Sequence, residues 1–262
     1  MAKRYEYSLG FCRRIFLQLL VLTGVTSTRV AEGMGQSGAF GARRLTTGRN
    51  ARTSVRDSGC ARWGWELVRR TSAPARLTPG LVAADDPALL EEPFVVWSGE
   101  DDIGALSQAE LRGIEAFIRL GGVLIVDDSR PELGQFGAAA RREIRRVLAD
   151  APVTTLSPAH VIFKSFYLVA RPQGRILGPE RVDAIVRGTT AQVLFLSCDL
   201  LGALASRTDG TFLFPTDPNS PRHRELAVRF AVNLAMYVLC SDYKDDQVHA
   251  AWLMRRRSGA HR

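Results

Sequence analysis

Between residues 93 and 128 the spacing of apolar positions changes twice. Pro93-Phe94-Val95-Val96-Trp97-Ser98-Gly99 is a short, unbroken apolar run closed by glycine, which predicts a buried strand. Ser107-Gln108-Ala109-Glu110 is a capping box, in which the serine hydroxyl and the glutamate carboxylate satisfy orphan N–H groups at a helix start. Leu111, Ile114, Phe117 and Ile118 then fall on one helical face, and Gly121-Gly122 supplies a left-handed stop. Val123-Leu124-Ile125-Val126 follows at once, apolar on both faces, as a parallel strand covered by helices on each side must be. Strand, helix and strand in this order form a βαβ unit, right-handed by strong preference.

Elsewhere the pattern is weaker. Residues 32–60 are rich in Gly, Ser, Thr and Arg and read as a flexible lead-in, within which residues 39–46 offer a first strand. Residues 63–70 read as a short helix, and residues 76–83 as an extended stretch broken by Pro79-Gly80. Residues 137–149 form a further helix, with Ile144, Val147 and Leu148 inward and Arg141, Arg142, Arg145 and Arg146 on a solvated face. Residues 184–187 and 192–196 read as strands around the Gly188-Thr189-Thr190 turn. Ser220-Pro221 opens the last long helix, with serine as N-cap and proline at the first helical position. This alternation predicts a doubly wound α/β domain on a mostly parallel sheet over residues 61–242, followed by a basic tail over 243–262.

The chain begins differently. Arg13-Arg14 runs into Ile15-Phe16-Leu17, behind a basic leader and ahead of a short apolar run that Gln18, Thr23 and Gly24 interrupt. The run is too short for the ~20 apolar residues of a membrane-spanning helix, and the pattern resembles a twin-arginine export signal over residues 1–31. The expected setting is the periplasm or cell envelope, reached through the twin-arginine export machinery. Thr28-Arg29-Val30-Ala31 is a poor small-x-small cleavage site, so an uncleaved signal acting as an anchor is the alternative.

Charge changes the picture little. The net charge of +8 suggests nucleic acid, yet residues 1–76 hold 14 Lys/Arg against 4 Asp/Glu and residues 255–262 add four Arg. The body between them carries 17 basic and 23 acidic residues, not the clustered basic face that phosphate binding needs. No nucleic-acid partner is expected. The four cysteines, Cys12, Cys60, Cys198 and Cys240, show no metal-like spacing, and buried free thiols are expected for Cys198 and Cys240. The four histidines never fall at i, i+3 or i+4, so no metal site is expected, and no phosphate loop or dinucleotide fingerprint calls for a cofactor.

Candidate chemistry gathers at strand ends, where open parallel sheets bind ligands. Three such ends carry polar groups: Ser98 before Glu100-Asp101-Asp102, then Asp127-Asp128-Ser129, then Ser197-Cys198-Asp199. Ser98, Asp127, Asp128 and Asp199 are therefore the candidate ligand-binding residues, although helix capping and loop solvation are the simpler account of Asp127-Asp128. A phosphoryl-accepting receiver domain also ends a strand in an acidic pair, but residues 165–185 offer no later strand ending in Asp. Cys198 is a candidate nucleophile, with His160 or His249 as base and Asp199 beside it, but it lacks the small flanking residues of a nucleophile elbow.

The order of several short motifs is informative. Arg70-Thr71-Ser72, residues 93–99, residues 111–128 with Gly121-Gly122, His160-Val161-Ile162-Phe163, Tyr167, Asp199, residues 233–237 and Tyr243-Lys244-Asp245-Asp246-Gln247-Val248-His249 together resemble the bacterial family named domain of unknown function 4159. The likeness spans residues 40–257. It implies a flavodoxin-like, class I glutamine amidotransferase-like fold, an extracytoplasmic setting and partnership with membrane proteins bearing von Willebrand factor A domains. It implies no enzyme activity. Neither residues 93–99 nor residues 123–129 end in the amidotransferase cysteine. A non-catalytic module binding a ligand or a partner protein is the preferred expectation, and a hydrolase using Cys198 or an Asp/His pair the alternative.

Overall fold

The computed structural model describes residues 39–258 apart from Ala51 and Pro79. Arg13 and Arg14, and with them the export signal, lie outside the described residues. Seven strands form one mixed sheet: β1 (Arg43–Thr46), β2 (Gly80–Ala83), β3 (Phe94–Gly99), β4 (Val123–Asp128), β5 (Val153–Thr155), β6 (Asp183–Arg187) and β7 (Thr190–Leu196). Their order across the sheet is β2-β1-β3-β4-β7-β6-β5. The first five in that order are parallel, and β6 runs antiparallel to both neighbours, so the architecture is α/β with a hairpin-built edge.

The two-residue side-chain period of the strands divides the buried residues between two cores. Phe94 and Val96 of β3 and Val123 and Ile125 of β4 face α1 (Ser58–Thr71) and α5 (Pro221–Ser258), together with the short α4 (Leu200–Leu204). Val95, Trp97, Leu124 and Val126 face the other way, onto α2 (Gln108–Arg119) and α3 (Gln135–Val147). On the first side Phe40, Trp63 and Phe94 pack with ring centroids 5.0–5.8 Å apart. The Trp63 indole N–H donates to Ala231 O at 2.7 Å, tying α1 to α5. The capping box at Ser107 forms as expected, and Gly121 takes the positive φ that ends α2.

The first strand expected within residues 39–46 of the lead-in forms over residues 43–46. It is an interior strand, held between β2 and β3. Its sequence signals an interior position poorly because it opens with two arginines, and Arg44 is only 1% exposed. The burial is tolerated because its guanidinium pairs with Asp57 and donates to the Asn50 and Arg52 carbonyls. Helix α1 starts at Ser58 rather than near Trp63, growing from a capped turn in which the Ser54 hydroxyl accepts from Arg56 N and Asp57 accepts from Ser54 N. At the other end α5 continues to Ser258, so most of the expected tail is helical. Cys198 is a buried free thiol as expected, but Cys240 is exposed, because it follows the last core residues of α5 on the outward side.

Close backbone approach fixes α2 against the sheet. A Cβ added at Gly113 would overlap the Ala84 carbonyl oxygen, whereas one at Gly48 would meet nothing nearer than Glu110 Oε1 at 3.8 Å. Gly113→Ala is expected to cost about 1–3 kcal/mol through forced separation of α2 from the chain after β2, and Gly48→Ala less than about 0.5 kcal/mol. Urea denaturation of the two variants checks this, and equal midpoints would refute the close approach.

Candidate functional site

The chain leaves β1 toward β2 on one side and returns to β3 on the other. The loops after β1 and β3 therefore diverge and open a crevice at the carboxyl ends of these strands. A cleft of about 380 Å³ lies there, walled by Arg44, Asn50 and Arg56 from the β1 side and by Ser98, Glu100 and Ser129 from the β3 and β4 ends. Its floor is an internal polar network. The Ser98 and Ser129 hydroxyls share a hydrogen bond of 2.8 Å, and Asn50 Nδ2 donates to Ser98 O at 2.7 Å.

Asp199 lies behind this cleft, fully buried and in the left-handed region at φ 52°. Its carboxylate accepts from Arg56 Nε at 2.9 Å and from a second Arg56 nitrogen at 3.2 Å. It also accepts from Arg175 and from Gly202 N, the latter at 3.0 Å. Arg56 in turn reaches Glu100 at the cleft wall. Leaving a buried ion without its partner typically costs about 3–5 kcal/mol, so Arg56 and Arg175 are structural necessities wherever Asp199 is charged.

The strand-end pair Asp127-Asp128 is occupied in the way helix and turn capping requires. Asp127 accepts from Leu200 N and Leu201 N, both at 2.8 Å, at the start of α4. Asp128 accepts from Arg130 N at 3.0 Å and Gly137 N at 3.1 Å. Burial and the neighbouring Asp199 charge push Asp127 up to about 7, against the opposing pull of the Leu200 and Leu201 N–H groups and Arg56. Burial raises Asp128 as well.

Ser98, Asp127, Asp128 and Asp199 are thus brought to one edge of the sheet. Cys198 stands at the same edge, but it is only 1% exposed, and burial with the nearby Asp127 and Asp199 charges raises its pKa well above the ordinary thiol value. His160 is elsewhere. It caps the short turn Val161–Phe163 and packs on Tyr237 at 5.9 Å between ring centroids. The Tyr237 hydroxyl accepts from Ala191 N, at the start of β7, whereas Cys198 follows the end of that strand. At ~3.3 Å per residue, Tyr237's anchor and Cys198 are on the order of 20 Å apart. His160 therefore reaches neither Cys198 nor Asp199. The histidine nearer that edge is His223, whose Nε2–H donates to Gly174 O at 2.8 Å. His249 lies in the part of α5 whose side chains are not described.

Sequence reasoning missed Arg44, Asn50, Arg56 and Arg175. The Ser54-Val55-Arg56-Asp57 cap was a usable local signal for a turn, but nothing in the spacing joins Arg56 to Asp199, 143 residues away. Among the described residues no cluster of His, Cys, Asp and Glu forms a metal-ligating group, and no helix is long and apolar enough to cross a membrane.

The family described as "Domain of unknown function (DUF4159)" matches residues 43–239, from the first strand through the core portion of α5. The chain belongs to this family. No curated protein matches it.

Asp127 gives the site a pH signature. Its folded-state pKa is raised from the ordinary carboxylate value of 3.8 to about 7, so folding favours the protonated form. That contribution to stability is fully present below the unfolded value and is lost as pH rises through the folded one. Relative to Asp127→Asn, the unsubstituted protein is expected to lose stability from about pH 4 to about pH 7, by at most ~1.4 kcal/mol per pH unit, and to level off above. Chemical denaturation of both proteins from pH 4 to 8 measures the difference. A constant gap would mean that Asp127 keeps its ordinary acidity in the fold.

Proposed function

We propose that this protein is a non-catalytic, extracytoplasmic binding module of a cell-envelope assembly, holding a ligand or a partner protein in the cleft beyond β1 and β3. The observation that carries the reading is the state of the polar groups at this edge. Asp127, Asp128 and Asp199 are occupied by capping and ion pairing, and the Cys198 thiol is buried away from His160. What remains accessible is a rigid polar rim around a preformed hollow, which suits recognition.

The strand order β2-β1-β3-β4-β7 supports a doubly wound, flavodoxin-like or class I glutamine amidotransferase-like ancestry, since the parallel strands of such sheets run 2-1-3-4-5 with the ligand crevice between the first and third. The Arg13-Arg14 motif supports export by the twin-arginine route to the periplasm, and a sheet of non-local parallel pairings, slow to form, suits a route that carries folded cargo. Membrane proteins with von Willebrand factor A domains are the partner class that the family resemblance favours.

Two measurements test this. Arg13→Lys/Arg14→Lys is expected to leave the protein in the cytoplasm, and undiminished periplasmic recovery would overturn the export route. Thr53→Trp, placed on an exposed residue of the cleft wall, is expected to abolish cross-linking to the envelope partner while leaving the thermal midpoint unchanged. Ester or amide hydrolysis by the purified protein that disappears in Cys198→Ser would instead establish the hydrolase reading.

A further inference from the structure

A second cleft, of about 410 Å³, lies between α1, the 212–221 segment and the start of α5, and shares no residue with the strand-end cleft. Arg62, Arg69, Phe212 and Arg224 line it and, with the adjoining Trp65, form an alternating stack of arginines and aromatic rings. Arg69 lies over Trp65 at 4.9 Å, Arg62 over Trp65 at 4.5 Å and over Phe212 at 4.8 Å, and Arg224 over Phe212 at 4.3 Å. Residues 62, 65 and 69 follow i, i+3, i+7 spacing on α1, so both arginines lie against the Trp65 ring along one helical stripe. Trp65 is nonetheless 39% exposed.

The charges of this cleft do not balance. Glu66 is buried and takes Arg62 and Arg70, and Glu225 takes Arg70 and Arg229. No carboxylate among the described residues pairs with Arg69 or Arg224. Arg224 donates only to the neutral Ala203 and Phe214 carbonyls. Burial, Arg175 and Arg62 lower its pKa, against the opposing pull of the more distant Asp199. A guanidinium stacked on a ring keeps its in-plane N–H groups free for an oxyanion.

We propose that this cleft binds an acidic segment of a partner protein, with Arg69 and Arg224 pairing its side-chain carboxylates. Three observations select that occupant. Each ring already has two guanidiniums within 5 Å of its centroid, which compete with a base for the ring and disfavour single-stranded nucleic acid. The stack presents cations in a row instead of one compact seat, so it matches several anions in sequence. Arg69 and Arg224, at the two ends of the stack, stand roughly 18 Å apart at most, a span that five or six residues of an extended peptide cover at ~3.3 Å each. The site is independent of the strand-end reading and holds whether or not that cleft is occupied.

The test titrates the full chain into a fluorescein-labelled hexaglutamate peptide at low ionic strength and reads anisotropy. Arg69→Gln, on an exposed residue whose only described contact is the Trp65 ring, is expected to weaken binding about tenfold, the loss of one charge-assisted hydrogen bond. Arg224→Gln is expected to weaken it further, with a thermal melt reporting any cost to the fold. Arg119→Gln on α2 is expected to change nothing, since it pairs only with Glu115 on its own helix. Binding to Arg69→Gln as tight as to the unsubstituted chain, absence of measurable binding, or tighter binding of a six-nucleotide oligothymidylate would each overturn the proposal.

Discussion

The charge of Asp199 is the constraint around which the carboxyl end of the sheet is arranged. A carboxylate removed from water must be met by donors where it stands, and here the donors come from distant parts of the chain. Arg56 arrives from the turn before α1, Arg175 from the irregular segment between β5 and β6, and Gly202 N from α4. The backbone N–H of Asp199 donates to Asp128 O, so the end of β4 is drawn into the same knot. Because Arg56 also holds Glu100, the wall of the strand-end cleft inherits its position from this buried ion. The like-charged Asp127 beside it carries the electrostatic consequence.

The βαβ unit was legible because its signals are local. Continuous apolar runs, a capping box and a glycine stop each act within a few residues, and residues 94–128 form the elements the pattern predicts. The first strand was only weakly signalled, for a physical reason. Two consecutive arginines are poor markers of an interior strand, and only the partners that Arg44 finds in the folded chain permit its burial. The same limit governs the site. Strand ends pointed to Ser98, Asp127, Asp128 and Asp199, whereas the arginines that neutralise Asp199 are visible only once the chain has folded. His160 came forward as a base by residue type alone, and the fold carries it to the far end of β7.

The segment with the weakest pattern builds a wall of both clefts. Arg44, Asn50, Arg52, Thr53, Ser54 and Arg56 line the strand-end crevice, and the stripe of α1 that follows them brings Arg62, Arg69 and Arg70 to the second cleft. Much of its arginine content is thereby explained without a nucleic-acid surface: Arg44 and Arg56 are internal counter-ions, and Arg62 and Arg70 hold buried Glu66.

The division of buried residues into two cores by one sheet has a bearing on how such a domain can change over time. Neighbouring residues of β3 and β4 send alternate side chains to opposite faces, so a substitution on one face meets neighbours largely distinct from those of a substitution on the other. Effects at sites that share no partners add. The face of α2 and α3 can therefore drift, shrink or be redesigned while the face of α1, α4 and α5 keeps its packing. The sheet acts as a partition between two packing problems that can be solved almost separately, and only the knot at its carboxyl end joins them.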